Sequence, residues 1–205
     1  MKLRDRLISV LRWPAADRAF QNVVGGKYHQ RHLAEHVQPV PGEKVLDIGC
    51  GPGDILEFLP GVNYTGFDVS PEYIEAAKKR YGPRGRFWCS DVGLAAIEQE
   101  RGTFDLVLAT GVLHHLDDGR ATKLFALAKL ALCPGGRLVT YDGCFVPEQS
   151  RLTRWLLRQD RGKFVRRREE YLRLAAGCFP KVEARVRHDM LRIPYTHLVM
   201  RCSAH

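Results

Sequence analysis

Apolar residues in this chain fall into short runs, separated by segments whose apolar positions recur every three or four residues. The short runs predict strands at Lys44–Ile48, Tyr64–Phe67, Arg86–Cys89, Phe104–Ala109 and Arg137–Tyr141, since brief apolar stretches bounded by turn formers suit buried strands. Helical character lies between them, at Asp54–Leu59, Pro71–Tyr81, Val92–Glu100 and Gly119–Leu132. Ser70-Pro71-Glu72 opens the second of these helices with an N-cap serine, a first-turn proline and an early acid. Leu124, Leu127, Ala128, Leu130 and Ala131 give the last one an apolar stripe, and Cys133-Pro134-Gly135-Gly136 stops it. Strict alternation of strand and helix predicts an α/β fold, a parallel sheet with helices on both faces.

Beyond residue 142 the pattern changes. Two helices are expected at Gln149–Arg158 and Arg168–Ala176. Strands at Lys181–Arg187 and Thr196–Cys202 follow, joined by a connection containing Pro194, as in a closing antiparallel hairpin. At the other end, Leu3, Leu7, Val10 and Leu11 recur at helical spacing. With 205 residues the chain reads as one domain. Residues 1–40 are expected as a helical lid or flank, 41–142 as the core, 143–180 as a basic insert and 181–205 as the terminal hairpin.

Composition adds bounds. The chain is 45% hydrophobic and 27% charged, as in soluble globular proteins, and no apolar run approaches the ~20 residues of a membrane span. Charge interrupts MKLRDRLISVLRW, so it is not read as a signal peptide. Six cysteines lie scattered without a CxxC pair, which fits buried thiols in a reducing, cytoplasmic setting rather than a disulfide frame or zinc site. The net charge of +9 is uneven: +4 over residues 1–40, −4 over 41–150 and +8 over 151–192. Such basic regions suit nucleic acid, anionic lipid or an acidic small substrate, and equally a solvated helix face.

The densest chemical signal is Val45–Asp54, VLDIGCGPGD. A buried strand running into Gly49, Gly51 and Gly53, with Asp47 ahead of them and Cys50 between, lets backbone N–H groups approach a ligand closely. The spacing is G-x-G-x-G and not the G-x-G-x-x-G of pyrophosphate cradles. The block resembles the first motif of class I S-adenosylmethionine (SAM) dependent methyltransferases. Further matches follow in order over roughly residues 41–142: Gly66-Phe67-Asp68-Val69-Ser70, Cys89-Ser90-Asp91-Val92, FDLVLATGVLHHLDD from Phe104, and Cys133-Pro134-Gly135-Gly136-Arg137-Leu138. The resemblance implies a Rossmann-like seven-stranded, mostly parallel sheet ending in the antiparallel hairpin, with SAM as cofactor.

It also implies a site. Asp47 holds the SAM ammonium directly or through water, and Gly49, Cys50 and Gly51 line the amino-acid end. Asp68 lies 15 positions after Gly53, where a carboxylate at a strand's carboxyl end accepts both ribose hydroxyls. A capping role is the rival for Asp68, but Ser70 fills it. Val69 follows in that loop. Asp91 and Val92 meet the adenine edge, with helix capping by Asp91 as the compatible alternative. Thr110 ends the fourth strand, where ligands gather in open α/β sheets. Tyr28 is the preferred lid residue, beside His29 and Arg31.

Departures narrow the acceptor. Ala109-Thr110-Gly111-Val112 stands where nucleic-acid amino-methylating enzymes carry N/D-P-P-Y/F, and no Pro-Cys nucleophile is present. Asp142 is acidic but Thr110 is not, so no metal is expected. Methyl transfer needs alignment and exclusion of water, plus a base when the acceptor is a hydroxyl or protonated amine. His114 and His115 are the candidate bases; the rival reading packs one of them beneath the loop. Trp155, Arg161, Lys163, Arg166, Tyr171, Tyr141, Asp142 and Tyr195 are expected around the acceptor. The basic, amphipathic Arg151–Arg158 suits covering an acidic or aromatic substrate or resting on an anionic membrane surface, with packing of Trp155 and Leu156 onto the domain as the favoured reading. The implied function is methylation of O, N or C on a small molecule, with RNA- or protein-directed methylation, or SAM binding without turnover, as alternatives. Oligomeric state is left open.

Overall fold

The computed structural model describes residues 28–90, 100–159 and 162–203. Among these residues lie eight strands: β1 (Lys44–Ile48), β2 (Asn63–Asp68), β3 (Gly85–Cys89), β4 (Phe104–Thr110), β5 (Leu132–Phe145), β6 (Arg166–Arg167), β7 (Lys181–Arg187) and β8 (His197–Ser203). Seven form one sheet in the order β3-β2-β1-β4-β5-β8-β7, and the two-residue β6 pairs the end of β5. β1 to β5 run parallel, while β8 is antiparallel to both β5 and β7. The helices are α1 (Tyr28–His32, continuing as a wide π-turn over Leu33–Val37), α2 (Pro71–Tyr81), α3 (Asp118–Ala131), α4 (Arg151–Gln159) and α5 (Arg168–Ala176).

The α/β architecture and the antiparallel ending are those read from the sequence. Strand order reverses between β1 and β4, because the chain builds outward through β2 and β3 and then returns to the far side of β1. The loops leaving β1 and β4 therefore part there, and open α/β sheets bind ligands in that crevice. β1 is buried on both faces, as a central parallel strand requires. Leu46 and Ile48 join a core shared with α3 and α5, whereas Val45 joins the opposite core with α1 and α2.

Local differences have local causes. The segment expected as a helix after the glycine turn is a 3-10 turn, Asp54–Phe58, cut short by Pro60-Gly61. On α3 the buried stripe is Ala121, Leu124, Phe125, Ala128 and Ala131, with Leu127 and Leu130 at its margin. Cys133–Gly136 makes an irregularity in β5: Gly135 turns at φ +82, and regular pairing resumes at Leu106↔Arg137. Arg137 then fastens α1 to the sheet. Its Nη2 donates to the carbonyls of Val37 (3.0 Å) and Gln38 (2.9 Å), and its Nη1 to Glu43 (2.7 Å). Of the helical segments expected over residues 1–40 and Val92–Glu100, residues 1–27 and 92–99 lie outside the described residues.

Candidate functional site

β1 ends in a turn whose three glycines all have positive φ: +74 at Gly49, +55 at Gly51 and +75 at Gly53. The N–H groups of Gly49 and Cys50 both donate to the Phe67 carbonyl, at 2.8 and 2.9 Å, which pins the turn against the end of β2. The glycines differ in what their missing side chains permit. A Cβ on Gly49 would stand 2.6 Å from Val112 Cγ2, and one on Gly53 3.2 Å from Phe87. Those two let the protein pack on itself. A Cβ on Gly51 would meet nothing within 4 Å, so only this glycine opens the cradle toward a ligand.

Asp68 faces that opening from the end of β2. Its Oδ2 accepts from the Gly51 N–H (2.9 Å) and its Oδ1 from the Ser70 N–H (2.8 Å). One bond per oxygen fixes the carboxylate and leaves further lone pairs for an incoming diol. Val69, next in line, is 69% exposed. Asp47 lies deeper, with its Oδ2 accepting from the Tyr64 hydroxyl at 2.6 Å. Burial pushes its carboxyl up to about 7, although Tyr64 pulls the other way. Cys50 packs beside Gly66, where any Cβ would stand 2.8 Å from its Sγ, and burial drives its thiol far above the ordinary range. It is held neutral.

Across the crevice, β4 ends at Thr110, whose Oγ1 is buried and accepts or donates no bond among the described residues. Gly111 turns at φ +72 with its N–H on the Tyr141 carbonyl (2.7 Å), and a 3-10 turn, Leu113–His115, follows. His114 is buried. Its Nδ1 lies 2.8 Å from Asp142 Oδ1 on β5, and its backbone N–H donates to that same oxygen at 3.2 Å. A ring with its Nδ1 proton held by a carboxylate presents Nε2 as the basic nitrogen. Burial raises Asp142 above the usual carboxylate range, against the bonds from His114 and the Leu113 backbone. Its Oδ2 is a second buried oxygen without a bonding partner among the described residues. His115 is exposed, its ring 4.2 Å from that of His114.

What holds this loop has no local signal in the sequence. Arg166 is buried, donating to the carbonyls of Leu113 (2.9 Å) and Leu116 (2.6 Å) and to Asp118 (2.9 Å). Gly162 lies so close over His114 that a Cβ there would stand 2.0 Å from its ring. Arg166 is thus a clamp rather than part of an acceptor wall, and Tyr171 is a core residue bonded to the Gly143 carbonyl (3.1 Å). Arg31 turns to Asp189 instead of over the glycine turn. Tyr141 stacks on His197, with Tyr195 behind it, on the face opposite His114. Trp155 is not packed; it is 56% exposed. Asp91, Val92, Arg161 and the side chains of Tyr28 and His29 lie outside the described residues. Tyr64, Val112 and Gly162 gave no sequence signal, since each acts through a tertiary neighbour.

Strand order, glycine turn and acid at the end of β2 together define the class I methyltransferase architecture. Residues 45–136 match the family described as "Methyltransferase domain". The chain is 33% identical over 128 residues to O-methyltransferase cnsE of Penicillium expansum, spanning 58% of this chain and 45% of that one. It is 32% identical over 111 residues to a ubiquinone biosynthesis O-methyltransferase of Idiomarina loihiensis, spanning 52% and 44%. The chain therefore covers less than half the length of either relative. In fold it resembles phosphoethanolamine N-methyltransferase 2 of Haemonchus contortus, solved with phosphomonomethylethanolamine and S-adenosylhomocysteine. There the TM-score is 0.72 at 17% identity, over 99% of this chain and 60% of that one.

Proposed function

We propose that this chain is a SAM-dependent methyltransferase acting on a small-molecule acceptor. One observation carries the reading: the only glycine of the turn that opens outward, Gly51, donates its N–H to Asp68 at the edge of that opening. An open turn with a fixed carboxylate beside it fits the amino-acid and ribose parts of SAM. Thr110 Oγ1 at the end of β4 and Asp142 Oδ2 on β5 have no bonding partner among the described residues, and a ligand would supply one. Relatives named for O-methylation and ubiquinone biosynthesis, and a fold neighbour holding a small phosphoamine, support a small acceptor.

In this reading Asp68 accepts from the ribose diol and Gly49–Gly51 surround the amino-acid end. Asp47 serves the ammonium from beneath, Val69 offers an apolar surface, and Asp91 and Val92 meet the adenine edge, with Tyr28 as lid. When bound, SAM would supply a sulfonium methyl for transfer to an aligned nucleophile, with S-adenosylhomocysteine as the leaving group. His114, oriented by Asp142, takes the proton of an acceptor hydroxyl or ammonium at Nε2. His115, being exposed, has the lesser claim on that role.

The test is incubation with methyl-labelled SAM and a cell extract divided into small-molecule and macromolecular fractions. Label is expected in the small-molecule fraction, reduced at least about tenfold by His114→Gln. Label confined to RNA or protein, or none in either fraction, contradicts the proposal.

A further inference from the structure

The outer face of α4 is the strongest unassigned feature. At about 100° per residue, Thr153 and Leu157 fall on one side of this helix, and both are buried. Trp155 falls diametrically opposite. Arg151 and Arg158 flank it on one side and Leu152 on the other, all exposed, with Leu152 at 55% and Trp155 at 56%. The helix carries three arginines and no acid. Arg154 alone turns back, toward the carbonyls of Val146 and Pro147. Between Arg151 and Arg167 the sequence holds seven lysines and arginines against one acid, Asp160. Exposed Glu148, just ahead of the helix, is the neighbouring negative charge.

A merely solvated helix has no reason to expose a tryptophan and a leucine together on its outermost ridge. Two large apolar groups beside a row of arginines match a surface that is apolar below and anionic at its polar boundary. Tryptophan is favoured at just such a boundary, because its ring is apolar while its N–H still finds a partner. We infer that α4 docks this chain onto an anionic lipid bilayer, with Trp155 and Leu152 entering the interface and Arg151 and Arg158 on lipid headgroups. No helix of the described residues is long and apolar enough to cross a membrane; the docking is peripheral. The helix sits at the end of β5, with Leu157 packed so closely on Gly143 that a Cβ there would lie 3.0 Å from it.

The proposal is independent of methyl transfer and is tested without it. The protein is sedimented with vesicles of phosphatidylcholine, pure or containing about one quarter phosphatidylglycerol, at low and high salt. Binding is expected to the anionic vesicles only, to fall with salt, and to weaken about tenfold in Trp155→Ala and Arg151→Gln/Arg158→Gln. Trp155→Phe should retain most of it. In Trp13→Phe/Trp88→Phe, where Trp155 is the remaining tryptophan, emission should shift to shorter wavelength on vesicle addition. Thermal unfolding of the Trp155, Arg151 and Arg158 variants, exposed as these side chains are, should match the wild type. Failure to bind anionic vesicles, or binding indifferent to Trp155, overturns the inference. Binding of a single-stranded RNA that depends on Trp155, without vesicle binding, overturns it in favour of nucleic acid.

Discussion

Asp47 and Asp68 are both aspartates at the carboxyl ends of neighbouring strands, and their surroundings set them apart. Asp68 accepts two backbone N–H bonds at the mouth of the crevice, whereas Asp47 is buried with the Tyr64 hydroxyl on one oxygen. Burial lifts Asp47 from an ordinary value of 3.8 to about 7. A raised folded-state value means that the folded protein holds a proton that the unfolded chain releases from about pH 4 upward. The stability associated with neutral Asp47 is therefore full below that point and is lost as pH rises through 7. A shift of this size corresponds to a loss on the order of 4 kcal/mol. Asp47→Asn should flatten the fall in melting temperature between pH 5 and pH 8; an unchanged slope would place the titration elsewhere. Asp142 is raised in the same direction, so part of the slope should survive in the variant.

At the scale of elements, the glycine turn and the loop after β4 are locked to each other. Gly49 and Val112 touch, and Arg166 closes the loop from the far side. Gly49→Ala should destabilise by ~2–3 kcal/mol, from positive φ and overpacking. Gly51→Ala should destabilise by only ~1–2 kcal/mol but lower cofactor affinity at least about tenfold, because its Cβ occupies the cradle. Calorimetry beside thermal unfolding distinguishes the two, and equal effects on folding would refute the division. Arg166→Ala should cost ~3 kcal/mol in denaturant unfolding, since the buried Leu113 and half-buried Leu116 carbonyls lose their donor. The strands and the glycine motif were legible in the sequence because apolar runs and turn residues are local signals. The clamp was not. Nothing in VRRRE says that Arg166 among three successive arginines turns inward, because that depends on carbonyls some fifty positions away. For the same reason Gly162 over His114, and the pairing of His114 with Asp142, emerge only once β4 and β5 lie side by side. Trp155 shows the opposite case: its apolar ring favours packing, yet its helix turns it outward.

For the molecule as a whole, the central claim is that the crevice at the strand reversal binds SAM. Ligand at a hundred times its dissociation constant adds about 2.7 kcal/mol of stability. For a chain of this length that raises the melting temperature by roughly 5–10 °C. S-adenosylhomocysteine should act likewise, since it retains the carboxylate, ammonium, ribose and adenine. The direct measurement is calorimetric titration of SAM and S-adenosylhomocysteine into the wild type and Asp68→Ala. Saturable binding of both to the wild type, weakened at least about tenfold when the diol acceptor is removed, is the expected result. Absence of binding to the wild type, or equal binding to Asp68→Ala, would contradict the assignment of the crevice.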